Sequence, residues 1–236
     1  MTGAGRGVGR AVALAFAHEG RPVVLGDLAA PEEAAAEVRE RGGEALACAA
    51  DVADAGQVTA MVAAGAEAFG PAEVLVANAA IGFPDAFLDI APERWDLVLG
   101  VNLRGAVGCA QAVLPAMLEA GAGSLVFLSS IAGRRASLAQ GAHYTCSKYG
   151  IIGLTRHLAQ EFAGTGVRVN CVAPGPVETP FIVDQSSPEE LERLAAATPL
   201  RRLAQPEDVA DVIRWIAGPE ARHVHGAVLD VNGGLY

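Results

Sequence analysis

Short apolar runs alternate with longer stretches in which apolar positions recur every three or four residues. The short runs predict buried strands, because they are rich in valine, leucine and alanine and are bounded by turn residues. These predicted strands are Pro22–Leu25, Ala45–Ala49, Val74–Ala77, Ser124–Leu128, Val167–Val172 and Ala227–Val231. The longer stretches predict helices over Gly9–Glu19, Glu32–Arg41, Ala53–Phe69, Pro92–Leu118, Tyr144–Phe162 and Pro206–Ile216.

Strands that alternate with helices predict an α/β fold with a mostly parallel sheet and helices on both faces. Right-handed crossovers make this a doubly wound, Rossmann-type sheet. A length of 236 residues suits one domain over 1–236. The alternation of strands and helices is interrupted at 176–199, a segment that contains prolines and a predicted acidic helix, Glu189–Ala197. An insertion after the carboxyl end of a strand is well placed to form a substrate lid.

The chain opens with Met1, Thr2 and Gly3, directly at a glycine-rich turn. In a βαβ unit such a turn follows a strand, and that strand lies at the centre of the sheet. The sequence therefore indicates either a misplaced coding start or a protein without this central strand. We favour the first, because a missing centre leaves two unpaired strand edges. A genomic frame upstream of Met1 that encodes no short apolar strand would contradict this interpretation.

The composition of the chain argues against several classes of function. The formal net charge of −10 argues against a surface for nucleic acid or anionic membranes. No uninterrupted apolar run reaches the roughly 18 residues of a membrane span. The four cysteines lack zinc-like spacing, which favours reduced thiols in a cytoplasmic protein, and no metal site is expected.

The segment from Thr2 to Gly9 has the features of a phosphate-binding turn. Its glycines permit a tight turn, and the following helix offers free N–H groups to a pyrophosphate. Asp27 lies 18 residues beyond Gly9, at the end of a predicted strand. A carboxylate there accepts hydrogen bonds from a ribose diol and repels a 2′-phosphate, which favours NAD over NADP. Arg6 has the opposite effect if it meets a 2′-phosphate, although it could instead pair with Asp27.

Lys148 is the only lysine in the chain and follows Tyr144 by four residues. Positions i and i+4 share one face of a helix, so the pair places an ammonium near a phenol. A nearby positive charge favours phenolate and lowers the tyrosine pKa from about 10. The spacing therefore predicts a proton donor and acceptor that works near neutral pH.

Eight motifs agree in order and spacing with one family. They are TGAGRGVG at the start, DV at 51–52, NAA at 78–80, VNLRG at 101–105, SSIAG at 129–133, YTCSK at 144–148, PGPVET at 174–179 and VNGG at 231–234. Over nearly its whole length the chain resembles the short-chain dehydrogenase/reductase family, in its form of about 250 residues. The resemblance implies hydride transfer between NAD(P) and a secondary alcohol or ketone, without a metal. It also implies a homo-oligomer, most often a tetramer.

The resemblance assigns roles residue by residue. Tyr144 is the implied acid/base, Lys148 lowers its pKa and holds the nicotinamide ribose, and Ser130 binds the substrate oxygen, with Ser129 as the alternative. Asn102 is implied to link Lys148 to solvent through a water. The implied cofactor-binding residues are Gly3, Arg6, Gly7, Val8, Gly9, Asp27, Asp51, Val52, Asn78, Ala79, Ala80, Tyr144, Lys148, Pro174, Gly175, Val177 and Thr179.

Two other functions stay open. One is an NADP-dependent 3-oxoacyl reductase of fatty-acid or polyketide synthesis. The other, from a different class, is an N-terminally truncated and weakly active binding or assembly subunit. The loops at 131–143 and 176–199 are expected to shape a pocket for a small alcohol or carbonyl substrate. His143 is a candidate substrate contact, although a loop histidine is the simpler interpretation.

Overall fold

The computed structural model describes residues 1–137 and 139–236. Its strands are β1 Val23–Asp27, β2 Ala45–Ala49, β3 Val74–Ala77, β4 Gly123–Leu128, β5 Val167–Pro174 and β6 Val228–Val231. Its α-helices are α1 Gly7–His18, α2 Glu32–Glu40, α3 Ala55–Phe69, α4 Pro92–Leu99, α5 Gly105–Ala120, α6 Ala142–Glu161, α7 Pro180–Val183, α8 Pro188–Ala197 and α9 Pro206–Ala217. Every predicted strand is present, and so is every predicted helix except Pro92–Leu118, which is divided; the ends move by a few residues.

All strand pairs are parallel, in the order β2-β1 and then β3-β4-β5-β6. One apolar cluster joins one face of the sheet to α1 and α9, through residues such as Val12, Phe16 and Ile213. A second cluster includes Met117 of α5 and Ile151 of α6. Helices thus cover both faces, which confirms the predicted doubly wound α/β fold.

Met1 and Thr2 lie between β1 and β3, where the sheet divides. Thr2 forms a parallel bridge with Gly26 of β1, and its N–H donates to the Val76 carbonyl of β3 at 3.1 Å. The Gly26 N–H donates to the Met1 carbonyl at 2.9 Å. These two residues therefore take the place of the expected central strand over a very short length.

Beyond Met1, a cleft of about 410 Å³ separates the remaining lengths of β1 and β3. Apolar side chains line much of it, including Val24, Met61, Phe69 and Val74. The Met1 ammonium donates to the Val24 carbonyl at 2.9 Å, and burial lowers the pKa of this amino group.

The predicted helix Pro92–Leu118 is interrupted. A π-helical turn, Gly100–Arg104, separates α4 from α5. By length and composition, the stretch Pro92–Ala120 is long and apolar enough to cross a membrane. Its most apolar window of 18 residues has a mean hydropathy of 1.5. Asn102 and Arg104 interrupt this stretch, so it contains no uninterrupted apolar run of about 18 residues. Half of that window is buried inside the fold, as in the core helix of a globular domain.

The predicted lid contains α7 and α8. Ser187 and Glu190 form a reciprocal capping box at the start of α8, which explains why this acidic segment is helical. The prediction of a helix at Glu189–Ala197 is confirmed. In the second predicted pocket loop, 131–143, residue 138 lies outside the described residues.

An apolar segment of four residues added before Met1 is expected to stabilise the fold. It would pair with β1 and β3, fill the cleft and replace the buried ammonium with a peptide group. We expect the melting temperature to rise by at least about 4 °C, roughly 1–2 kcal/mol for a chain of this size. Calorimetry measures this, with a four-residue Gly-Ser extension as the control. Equal melting temperatures for the two extended chains would contradict the prediction.

Candidate active site

A cleft of about 540 Å³ lies at the carboxyl ends of the strands, where parallel α/β folds bind ligands. It runs from the glycine turn past β3, β4 and β5 to the lid. All predicted cofactor residues except Gly9 line it, as do Ser130, Tyr144 and Lys148. The described part of the chain therefore brings together residues that are more than 140 positions apart in the sequence.

The glycine turn has the backbone conformation that the motif requires. Gly3 and Gly7 have φ angles of 63° and 54°, in the left-handed region that favours glycine. A Cβ on Gly9 would overlap the Gly3 carbonyl oxygen, so α1 can pack closely against the turn only with glycine there. Gly9 thus allows α1 to pack against the backbone of the turn, and it does not line the cleft.

Asp27 ends β1 with its carboxylate at the cleft. One oxygen accepts from the Gly5 N–H at 2.9 Å and the other from the Leu28 N–H at 2.8 Å. Arg6 does not pair with Asp27, as one interpretation of the sequence allowed. Its guanidinium lies 3.8 Å from the Asp184 carboxylate, across the cleft on the lid side.

Asn78, predicted to bind cofactor, holds the turn in place. Its amide nitrogen donates to the Thr2 and Gly3 carbonyls at 3.0 and 2.9 Å. The Thr2 hydroxyl in turn accepts from the backbone N–H groups of Asn78 and Ala79, both at 3.2 Å. The side chain of Asn78 therefore serves the loop geometry, while Ala79 and Ala80 line the cleft beside it.

Tyr144 and Lys148 share one face of α6, as their spacing predicts, and both are buried. The Lys148 ammonium donates to the Leu128 carbonyl at 2.9 Å and lies 5.5 Å from the centre of the Tyr144 ring. Burial raises the pKa of Tyr144 to about 12, and the Ser130 hydroxyl partly offsets this rise. Burial lowers the pKa of Lys148 to about 8.

The predicted decrease in the tyrosine pKa is thus wrong for the protein alone. Desolvation of the phenolate outweighs the nearby ammonium, because both groups lie in a poorly solvated interior. A phenol that is neutral at neutral pH is in the state that donates a proton to a carbonyl oxygen.

Ser129 and Ser130 have different surroundings, which bears on the choice between them. The buried Ser129 hydroxyl donates to the Lys148 carbonyl at 2.8 Å and so braces α6 against the end of β4. Ser130 accepts from the Ala132 N–H at 3.1 Å. Both serines line the cleft, but the Ser130 hydroxyl lies beside the Tyr144 phenol, whereas the Ser129 hydroxyl donates to the Lys148 carbonyl. This difference favours Ser130 as the substrate contact.

Asn102 lies in the π-helical turn with 2% of its surface exposed. Its amide exchanges two hydrogen bonds with the backbone of Ile81, both at 2.8 Å, and donates to the Ser147 hydroxyl at 3.0 Å. The side chain braces the loop after β3 and does not line the cleft. π-helical turns occur often at functional sites, where they realign backbone groups.

Several lining residues escaped prediction. Phe181 of the lid stacks on Tyr144, with ring centres 6.0 Å apart and planes at 28°. Ile81, Leu97, Val101 and Ile182 add apolar walls. The apolar run Phe181-Ile182-Val183 directly after Pro180 was the available signal. The substrate end of the cleft is therefore mostly apolar around the hydroxyl groups of Ser130 and Tyr144.

Within residues 1–137 and 139–236, no group of three or more His, Cys, Asp or Glu side chains is arranged to hold an ion. His225 of the His223-x-His225 pair binds backbone groups of Val169 and Ala159. The role of His225 is therefore to join β5 and α6.

A family model described as enoyl-(acyl carrier protein) reductase matches residues 3–236. The 3-oxoacyl-[acyl-carrier-protein] reductase of Staphylococcus aureus is 37% identical over 239 residues, covering 100% of this chain and 96% of that protein. The chain belongs to the short-chain dehydrogenase/reductase family. Such enzymes transfer hydride with NAD(P), so this protein is an oxidoreductase of that kind.

Other members of the short-chain dehydrogenase/reductase family are equally similar. A cis-4-hydroxycyclohexanecarboxylate dehydrogenase of Sinomonas cyclohexanicum is 39% identical, covering 99% of this chain and 94% of that protein. A crystal structure of a 3-oxoacyl-[acyl-carrier protein] reductase with bound NAD from Brucella melitensis has a TM-score of 0.92 and 37% identity. It covers 100% of this chain and 89% of that one. These matches confirm the predicted fold class.

Lys148→Met is expected to stabilise the protein at neutral pH. Burial lowers the pKa of Lys148 from its ordinary 10.5 to about 8, so the folded state holds this proton less tightly than the unfolded chain. Lys148 alone should therefore add stability as pH rises from about 8 to 10.5, by on the order of 3 kcal/mol. The buried thiols of Cys109 and Cys171, whose pKa values burial raises to about 11, oppose this gain in both proteins. Urea unfolding at pH 7 and pH 10 should therefore show the gain as a change in the stability difference between the parent and Lys148→Met.

Arg156→Met, at an exposed cation on the same helix, is the matched control and should keep the parental pH dependence. A Lys148→Met protein that is less stable than the parent at both pH values would contradict the prediction. That result would mean that the hydrogen bond to Leu128 outweighs the desolvation of the ammonium.

Proposed function

We propose that this enzyme is an NAD-dependent dehydrogenase of secondary alcohols, or the corresponding ketone reductase. The observation that carries the proposal is the convergence of Ser130, Tyr144 and Lys148 on one wall of a cleft. The other end of this cleft carries a phosphate-binding turn and Asp27. Proton-transfer groups and nucleotide-binding groups thus face one continuous space.

The residues at the nucleotide end fit a dinucleotide. Gly3 and Gly7 line the cleft beside the start of α1, where the free N–H groups of a helix favour a pyrophosphate. A Cβ on Gly3 would crowd Asn78 and one on Gly7 would crowd Thr179. Asp51 and Val52 line the cleft as a contact for adenine, and Pro174, Gly175, Val177 and Thr179 line it at the nicotinamide end. The nicotinamide, when bound, accepts or donates the hydride.

The side chains of the chain itself handle the proton. In reduction, the neutral Tyr144 phenol donates to the carbonyl oxygen while the Ser130 hydroxyl steadies that oxygen. The Lys148 ammonium stabilises the resulting phenolate, because charge develops in a site with little water. Asn102 supports this arrangement through the loop at Ile81, and we assign it the role of aligning the path by which the proton exchanges with solvent.

NAD is the preferred cofactor in this proposal. The Asp27 carboxylate is fixed by two backbone N–H groups at the point where a ribose diol would lie. It would repel a 2′-phosphate, and Arg6, the nearest candidate for binding that phosphate, pairs with Asp184. The similar Brucella melitensis reductase binds NAD, which supports this preference.

A second candidate is a 3-oxoacyl reductase, because several of the similar proteins carry that name. The Sinomonas cyclohexanicum relative instead favours a cyclic secondary alcohol. Steady-state rates with a panel of secondary alcohols, ketones and 3-oxoacyl thioesters distinguish the two. A strong preference for the thioesters would replace the first proposal with the second.

The remaining features follow from the same proposal. We treat 1–236 as one domain with a lid at about 176–199, acting on a small alcohol or carbonyl in the cytoplasm. Its four cysteines are free, which fits a reducing compartment. Leu118 on α5 and Tyr149 on α6 are exposed and lie outside the cleft, which favours a homo-oligomer, most simply a tetramer. Light scattering that returned the mass of one chain, 24.1 kDa, would contradict this assembly.

The first test concerns cofactor choice. We expect kcat/KM to be higher with NAD than with NADP, because Asp27 repels the 2′-phosphate and binds the free diol. Asp27→Ala should reduce this ratio, mainly by improving the use of NADP. Glu19→Ala, at an exposed carboxylate outside the cleft, is the control and should leave the ratio unchanged. A clear preference for NADP in the parent would overturn the assignment of Asp27.

The second test concerns the proton-transfer pair. Tyr144→Phe should lower kcat by about 10²–10⁴-fold, the usual contribution of general acid–base catalysis, with a smaller effect on cofactor binding. Lys148→Arg should lose both turnover and cofactor affinity, because the broader guanidinium cannot occupy the same buried site. Kinetics and NADH titration of both variants measure this. Near-parental activity of Lys148→Arg would show that the single lysine is not required.

A further inference from the structure

We propose that His143 is a positioning residue for Tyr144, and that Asp85 and Arg94 hold His143 in the tautomer this role requires. The inference rests on the proposed role of Tyr144 and extends it to residues outside the cleft. His143 is fully buried and lies within α6, so the expectations of a substrate contact or a loop histidine were wrong.

The start of α6 needs a hydrogen-bond acceptor. The first N–H groups of a helix have no partner within the helix, and a side chain usually supplies one. Gly141 occupies the N-cap position and has no side chain to offer. The Nδ1 of His143 lies 2.7 Å from the Tyr144 nitrogen, which also lies 3.1 Å from the Gly141 carbonyl. His143 thus caps the helix at the residue that carries the phenol.

This contact determines the tautomer of the ring. Nδ1 can accept the Tyr144 N–H only when the ring proton is on Nε2. Nε2 faces the Asp85 carboxylate at 3.4 Å, and a carboxylate at this position favours a proton there. The same Asp85 oxygen lies 3.3 Å from Nε of Arg94. The charged pair therefore keeps the ring in the orientation that presents Nδ1 to Tyr144.

Packing around the ring makes this arrangement rigid. Trp95 contacts His143 edge to face with 5.9 Å between ring centres, and the Arg94 guanidinium lies 3.8 Å above the Phe83 ring. The Gly141 N–H donates to the Phe83 carbonyl at 2.8 Å. Three segments, the loop after β3, the start of α4 and the start of α6, therefore meet at His143.

The same loop contacts the catalytic ring directly. A Cβ on Gly82 would lie 2.9 Å from Cδ2 of Tyr144, so the loop backbone packs against one side of the phenol. A shift of this loop or of the first turn of α6 would move the phenol relative to Ser130. The proton-transfer step depends steeply on such distances, because donor and acceptor must stay within hydrogen-bond reach.

The test compares three variants of the full-length enzyme. His143→Leu fills the apolar site but removes the acceptor, His143→Asn restores an acceptor oxygen near the position of Nδ1, and Asp85→Ala releases the ring. We expect His143→Leu to lower kcat at least tenfold with the NADH dissociation constant unchanged within twofold. His143→Asn should recover to within about threefold of the parent, and Asp85→Ala should be intermediate.

Rates are normalised to NADH-binding sites, so that loss of folded protein does not lower the apparent kcat. Parental kcat in His143→Leu, or equal losses in His143→Leu and His143→Asn, would overturn the proposal, because the acceptor would then be irrelevant. If His143→Leu fails to fold, a parental kcat in Asp85→Ala overturns it instead. Parental activity in Tyr144→Phe would reject the proposed function itself and is measured separately.

Discussion

The hydrogen bonds between Thr2 and Asn78 connect the two parts of the sheet, and the rest of the site depends on them. The strand that ends at Asp27 and the strand that precedes Ser130 belong to the two separate parts of the sheet and are not directly paired. Met1 and Thr2 lie between them, and the Asn78 amide binds the carbonyls of Thr2 and Gly3. This contact sets the distance between the glycine turn and the wall with Ser130, Tyr144 and Lys148, so one amide side chain aligns the two ends of the cleft to which we assign nucleotide binding and proton transfer.

The site is built at the expense of stability. A lysine with 3% of its surface exposed holds an ammonium in the interior with one backbone carbonyl as its hydrogen-bond partner. Desolvation opposes that charge, as it opposes a phenolate at Tyr144. Natural proteins tolerate such groups where they serve function. The close packing of α5, α6 and α9 against the sheet supplies the apolar burial that offsets these groups.

Much of the fold was predictable because strand and helix periodicities are local properties of the chain. The break in the helix at Gly100–Arg104 was not, since the segment reads as one continuous apolar helix. It forms where the Asn102 amide binds the backbone of Ile81, a contact 21 residues away. The pairing of Arg6 with Asp184 could not be predicted from the sequence either, because it depends on where the segment 176–199 lies across the cleft.

Local sequence was sufficient to predict the alternation of strands and helices, the glycine turn at 2–9, the position of Asp27 at a strand end and the one-turn spacing of Tyr144 and Lys148. Each of these follows from neighbours within a few residues. The directions of the two pKa changes, the contrast between Ser129 and Ser130, and the burial of His143 became evident only in the folded chain. Desolvation and hydrogen bonding depend on every atom around a group, and here those atoms come from segments that meet only after folding.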